Sequence, residues 1–356
     1  MTAGGQMPAG RFPVPGQEHI KILIVTDAWR PQVNGVVTTL EMLGRELAAL
    51  GHEVRYATPE GHFTLPLPTY PEIRLAFFPR QRLEKVMREF APDAVHIATE
   101  GTMGLTARAL CLKHGIAFTT AFHTRFPDYV HARFPFVSAE YVWRWERWFH
   151  KEAISTMART PSMKRELEGH GFAHVRLWEG GVDVERFRPI PDAKLPYPGP
   201  IFLYVGRVAI EKNIEAFLSL DLPGTKVVVG PGPALDSLSR KYPDARFLGP
   251  KSGDDLVRAY AASDVNVFPS LTDTFGLVML EALACGTPVA TFPHDVMKDV
   301  VGACPAAALD EDLGAACRRA LTLSRTEARS FALTHSCRAS TQQFLSNLVV
   351  EQPQEA

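Results

Sequence analysis

Residues 19–27 read HIKILIVTD, a short and nearly continuous apolar run that opens into a polar loop. That is the pattern of a strand buried on both faces, as in a parallel sheet. A parallel strand needs a crossover before its neighbour can form, and residues 36–50 supply one. Val37, Leu40, Leu43, Leu47 and Leu50 recur at spacings of three and four, and Gly51 stands where a helix ends. Outward from there the alternation repeats through strand-like residues 53–57, 74–78, 94–98, 117–122 and 156–160, with helical stretches between several of them. Strands alternating with helices of this length predict an open α/β sheet with right-handed crossovers.

Residues 188–200 (RPIPDAKLPYPGP) hold five prolines and no apolar period, the composition of a semi-rigid linker. Beyond it the alternation restarts at residues 201–205, 226–229, 245–248, 265–268 and 288–291. Two α/β domains are therefore expected, facing one another across a cleft, with ligands beyond the carboxyl ends of the strands. A length of 356 residues with 46% hydrophobic and 22% charged residues is enough for two cores without a disordered bulk.

A net charge of −1 gives no strong field toward polyanions, so nucleic acid is not an expected partner. Residues 1–190 carry 23 Lys and Arg against 20 Asp and Glu, and the remainder 15 against 19, a mild asymmetry of +3 and −4. Cys111, Cys285, Cys304, Cys317 and Cys337 are odd in number and form no CxxC pair, which argues for reduced cytosolic thiols and against a zinc site. The Gly- and Pro-rich residues 1–18 lack the apolar core of a signal peptide and read as a disordered tail. A cytoplasmic protein is expected, peripheral at most on the inner face of the membrane.

Three loops stand out as chemical candidates. Residues 28–35 (AWRPQVNG) join the first strand to the first helix, where Gly35 lets an anion approach free backbone N–H groups. Asn34-Gly35 reads equally as a tight turn. The second domain opens with Gly206, Arg207 and, five residues on, Lys212: a planar fork and a mobile point charge at one strand-to-helix turn, suited to a diphosphate. The bland reading pairs Lys212 with Glu211. Residues 270–286 (SLTDTFGLVMLEALACG) set Asp273 at a helix entrance, as N-cap or hydroxyl acceptor, and Glu281 within an apolar helix. A carboxylate so placed requires a committed partner, such as a vicinal diol, an Arg or local backbone.

The Asp273-x7-Glu281 segment with ALACGTPV after it, the GR-x4-K segment, the NG loop, AFHTRFP at 121–127 and GVDVERFRP before the linker together resemble the retaining glycosyltransferases of family 4 and the GT-B fold. The resemblance covers about residues 19–349. It implies two Rossmann-like domains: an acceptor-side domain at 19–188, a linker at 189–200, a donor domain at 201–330, and a C-terminal helix at 331–349 that returns to the first domain. By the same resemblance Glu281 binds the ribose hydroxyls of a nucleotide sugar and Asp273 the sugar hydroxyls, with an Asp where the family carries Glu. Gly206, Phe275, Gly276 and Leu277 complete the donor loops, Arg207 and Lys212 hold the diphosphate, Gly35 approaches its β-phosphate, and His123 lies near the sugar. No cofactor and no metal are implied. The usual Trp of the last helix is Cys337 here.

Within that family the resemblance is greatest to bacterial lipid glycosyltransferases, which implies UDP-glucose or UDP-glucuronate as donor and a lipid such as diacylglycerol as acceptor. A GDP-mannose-dependent mannosyltransferase and a nucleotide-sugar epimerase of the same fold are the alternatives. Residues 133–151 (RFPFVSAEYVWRWERWFHK) place Tyr141, Trp145, Trp148 and Phe149 on one helical side and Arg144, Arg147 and Lys151 on another. That is the pattern of a helix lying on an anionic membrane, and equally of a core helix whose tryptophans pack inward.

Overall fold

A computed structural model describes residues 19–32, 34–67, 70–133 and 138–348. The tail at 1–18 and residues 134–137 of the aromatic stretch lie outside the described residues. The chain forms two compact units, Met1–Glu179 with Ser340–Ala356, and Gly180–Ala339.

The first unit contributes strands β1 (Lys21–Val25), β2 (Glu53–Ala57), β3 (Thr64–Leu67), β4 (Tyr70–Ala76), β5 (Ala94–Ile97), β6 (Phe118–Ala121), β7 (Ser155–Ala158) and β8 (Val175–Leu177). Six of them make one parallel sheet in the order β2-β1-β5-β6-β7-β8. The continuous apolar run of β1 is explained by its two faces. Leu23 and Val25 pack with Met87, Phe90 and Leu110 on one side. Ile22 and Ile24 pack with Leu40, Leu43, Leu47 and Phe344 on the other. Helix Gly35–Ala49 buries the expected Val37, Leu40, Leu43 and Leu47. Of residues 74–78, which read as a strand, 74–76 end β4, which pairs antiparallel with β3 as a separate hairpin, and Phe77 and Phe78 lie beyond it. The local apolar pattern does not distinguish these pairings.

The second unit holds β9 (Ile201–Val205), β10 (Thr225–Val229), β11 (Arg246–Phe247), β12 (Val265–Phe268), β13 (Val289–Thr291) and β14 (Ala307–Leu309), all parallel. Their order is β11-β10-β9-β12-β13-β14. This is the doubly wound arrangement of mononucleotide-binding folds, with its reversal between β9 and β12.

The prolines place the domain boundary at 189–200, yet the chain divides at Glu179/Gly180. The reason is that the segment before the prolines is already docked on the second unit. The Val182 N–H donates to the His335 carbonyl at 2.9 Å, and buried Phe187 offers its carbonyl to Arg329 at 2.8 Å. The single helix expected over 331–349 is two, Arg325–Leu333 and Cys337–Leu348. From Ser340 onward the last helix belongs to the first unit. Phe344 is fully buried there, 4.9 Å from the Trp178 ring and 5.0 Å from that of His96, and Asn347 donates to the Leu177 carbonyl at 2.6 Å. The helix thus closes one face of the first sheet. Cys111, Cys285, Cys304 and Cys317 are buried thiols, and among the described residues no helix is long and apolar enough to cross a membrane.

Candidate active site

The reversal between β9 and β12 brings two loops side by side at the carboxyl edge of the second sheet. The first follows β9. Gly206 sits at φ +153°, where an added Cβ would lie 2.9 Å from the Tyr204 hydroxyl, so a larger residue would strain the turn. Tyr204 donates to the Arg207 carbonyl at 2.7 Å, fixing the backbone from which the guanidinium projects. A 3-10 turn, Ile210–Lys212, then presents Lys212, and Asn213 in left-handed backbone starts helix Ile214–Leu218.

The second loop, residues 269–276, follows β12. Three bonds stitch it to the first. The Asn213 amide donates to the Pro269 carbonyl at 3.1 Å, the Thr272 hydroxyl donates to the Glu211 carbonyl at 3.1 Å, and Lys212 Nζ meets Asp273 Oδ1 at 2.5 Å. The bland pairing of Lys212 with Glu211 is not the one formed: Lys212 is balanced by Asp273 across the loops, while Glu211 lies 3.9 Å from Arg207. Asp273 is also not an N-cap. Helix Leu277–Ala284 is preceded by Gly276 at φ +81° with no side-chain cap. The Phe275 ring is turned inward and buried, so close to Gly180 that a Cβ there would lie 2.2 Å from it. Leu277 is half-buried at the helix start.

Glu281 lies in the second turn of that helix and is 6% exposed. Its Oε2 accepts a 2.8 Å hydrogen bond from the Tyr260 hydroxyl, on helix Gly253–Ala261. Burial pushes the carboxyl up to about 7, against the pull of Tyr260 and of Arg186. Tyr260 is held well above its ordinary value by burial and then by Glu281, so it remains a donor. Sequence reasoning demanded a partner for Glu281 but did not find Tyr260, because helical spacing does not report which helices adjoin. It also missed Ser270, whose buried hydroxyl in the second loop makes no hydrogen bond among the described residues. Two arginines brace this wall: Arg325 donates to the carbonyls of Ala261 and Ser263, and Arg329 to that of Ala284. They hold the carboxyl ends of the helices that carry Tyr260 and Glu281. The acidic pair Asp254-Asp255 lies in the first turn of the helix that carries Tyr260.

The remaining two candidates lie in the first unit. Gly35 is the first residue of its helix and exposed, and a Cβ on it would meet nothing within 4 Å. Asn34 forms no tight turn. It caps the helix, its Oδ1 accepting from the N–H groups of Val36 and Val37 at 3.0 Å each, so these two donors are taken. His123 follows β6, with its ring edge-on to Trp178 at 5.5 Å. Burial, reinforced by Arg159, His96 and His150, holds its imidazole well below the ordinary value and hence neutral. Arg159, itself buried and stacked on Trp178 at 4.7 Å, has no counterpart among the sequence candidates.

The aromatic stretch divides in a way that neither sequence alternative foresaw. On helix Ala139–His150, Trp143 and Phe149 enter the core, while Tyr141, Trp145 and Trp148 are 68%, 38% and 49% exposed. Arg144 and Lys151 are exposed as well, but Arg147 donates to the His170 carbonyl at 2.8 Å.

A family model described as Glycosyltransferase Family 4 matches residues 33–186, and one described as Glycosyl transferases group 1 matches residues 199–323. The GDP-mannose-dependent alpha-mannosyltransferase of Mycobacterium tuberculosis is 30% identical over 300 residues, which are 76% of this chain and 78% of that protein. The alpha-monoglucosyldiacylglycerol synthase of Acholeplasma laidlawii is 27% identical over 79% of this chain and 82% of its own. Among solved structures, the sucrose-phosphate synthase of Thermosynechococcus elongatus has a TM-score of 0.75 at 21% identity, over 91% of this chain and 97% of that one, a likeness of fold.

Proposed function

The chain belongs to glycosyltransferase family 4, with the two Rossmann-like halves of the GT-B fold, and from that premise we propose a retaining, metal-independent transfer of a hexose from a nucleoside diphosphate sugar to a lipid such as diacylglycerol. The observation that carries the site is the Lys212–Asp273 pair, which joins the two loops at the switch point of the second sheet. A diphosphate placed there meets Arg207 and Lys212, whose charge offsets what develops on the leaving group as the glycosidic bond breaks. Drawing Lys212 toward the phosphate frees Asp273 for the hydroxyls of the sugar. Glu281, oriented by Tyr260, accepts from the ribose diol. Phe275 and Gly276 shape the loop by packing and backbone, and Leu277 opens the helix behind it. In the first unit, the exposed Gly35 at its helix start is open enough for close backbone approach by an anion, and a neutral His123 suits orienting a sugar hydroxyl rather than serving as an acid.

For the donor, the whole-chain resemblance to lipid glycosyltransferases favours UDP-glucose or UDP-glucuronate, since the donor-loop motifs are shared with enzymes that use GDP-mannose. GDP-mannose is the second reading, favoured by the 30% identical relative named for it. The lipid acceptor draws support from the relative named for diacylglycerol and from the exposed Tyr141, Trp145 and Trp148 beside Arg144 and Lys151. The test is a panel of radiolabelled UDP-glucose, UDP-glucuronate and GDP-mannose against a lipid extract, with and without added Mg2+. Label entering the lipid phase from one donor, at a rate that Mg2+ leaves unchanged, is the expected result. Label that stays with the nucleotide, or appears in an epimer, counts against transfer. A strict need for added metal counts against the leaving-group role of Arg207 and Lys212.

A further inference from the structure

Away from the donor loops, the first unit buries Glu100, Glu146 and His150 side by side, at 5%, 0% and 3% exposure. Glu100 comes from the loop after β5, and Glu146 and His150 lie one turn apart on helix Ala139–His150. His150 Nε2 is 3.4 Å from Glu100 Oε1 and 3.4 Å from Glu146 Oε2. Neither approach has hydrogen-bond geometry: Nε2, Glu100 Oε1 and both oxygens of Glu146 make no hydrogen bond among the described residues. The rings of Phe149, Phe172 and Phe122 stand 5.1, 5.6 and 6.3 Å from the imidazole, so the surroundings are apolar. Two carboxylates in such a place are costly unless something between them neutralises them.

The far side of the imidazole indicates what that is. His150 Nδ1 is 2.8 Å from the Thr120 hydroxyl, which is 3.1 Å from that of Thr156. A ring proton on Nδ1, donated to Thr120, would leave the Nε2 lone pair facing the carboxylates, the second-shell arrangement of a metal-ligating histidine. A proton on Nε2 would leave the cluster at −1, and one N–H cannot point at two carboxylates. A divalent cation balances the charge and engages every unpartnered atom. Two metal–ligand bonds of about 2.05 Å at the tetrahedral angle set their donor atoms roughly 3.3–3.4 Å apart, the spacing found to both carboxylates.

We propose that Glu100, Glu146 and His150 form a buried structural site for a divalent cation, with zinc the best match to one imidazole and two carboxylates. The ion ties the loop after β5 to helix Ala139–His150. The cysteine pattern, which argues against zinc, speaks only to thiolate sites, and this donor set uses none. The site is independent of the donor chemistry, since no residue of the two donor loops takes part.

The full-length protein, purified without chelator, is to be assayed for metal by mass spectrometry, dialysed against EDTA, and titrated with Zn2+ and Co2+. About one zinc per chain is expected, removed by EDTA with a lower unfolding temperature and restored by Zn2+. The Co2+ form should carry the visible spectrum of tetrahedral coordination. Glu100→Gln should weaken zinc affinity by about ten-fold or more, and His150→Gln should abolish it. Where a glutamine variant does not fold, wild-type uptake and the cobalt spectrum decide. A wild-type chain that neither holds nor takes up zinc or cobalt, and unfolds at one temperature with or without EDTA, overturns the site. So does a full equivalent of zinc retained by both variants. Nucleotide titrations at low temperature report the donor site separately, so loss of this inference leaves the proposed function standing.

Discussion

Lys212 and Asp273 neutralise one another across two loops, so a bound diphosphate competes with a carboxylate for the same ammonium. Removing the competitor should separate binding from turnover. Asp273→Asn is expected to bind the free nucleoside diphosphate more tightly, by up to about ten-fold or 1.4 kcal/mol, while lowering the rate of sugar transfer. Calorimetry and steady-state kinetics on one preparation check this, and weaker nucleotide binding would return Asp273 to a purely structural role. Glu281 makes a second, pH-dependent case. Its carboxyl titrates near 7 because it is buried, and a diol is best held by the ionised form. Donor affinity should therefore rise from about pH 6 to 8 and level off, and Glu281→Gln should flatten that step. Glu281→Ala should cost about 1–3 kcal/mol of donor affinity. A wild-type profile flat across this range would contradict the ribose assignment. Both carboxylates were legible in the sequence because a charge in an apolar helix and a polar loop after a buried strand are local signals. Their partners, Lys212 and Tyr260, are set by which elements adjoin, and local spacing carries no record of that.

At the scale of elements, the last helix stabilises the first unit through a few buried groups. Phe344→Ala removes a ring packed on Trp178 and His96 and is expected to cost about 3–5 kcal/mol, read as a lower denaturation midpoint. A loss under about 1 kcal/mol would mean that the helix is a loose appendage. Helix Ala139–His150 yields the membrane test. Arg144→Gln with Lys151→Gln should reduce sedimentation with anionic vesicles, more so at low salt, and leave the unfolding temperature in place. Arg147 is left intact because its bond to the His170 carbonyl would confuse the reading. Vesicle binding that the double change does not alter would assign the exposed tryptophans another role. The helix itself was legible from its period, but not which tryptophans it buries. Trp143 and Phe149 face inward because the sheet and the segment bearing Phe172 cover that side.

For the molecule as a whole, the two α/β units follow from buried strands recurring on either side of a proline-rich stretch. The point where they divide, and the return of the last helix, depend on long-range docking that composition does not encode. The hairpin of β3 and β4 was misread for the same reason, since an apolar strand does not announce its partner. In the proposed reaction, the switch-point site of the second unit discharges a nucleoside diphosphate while a lipid takes the sugar on the same face. Its most direct test is the anomeric configuration of the product formed from an α-linked nucleotide sugar, read by proton NMR on the purified glycolipid together with the yield of free nucleoside diphosphate. An α-linked glycolipid and one equivalent of nucleoside diphosphate per transfer are expected. A β-linked product, or diphosphate released with no sugar on lipid, would contradict that reaction.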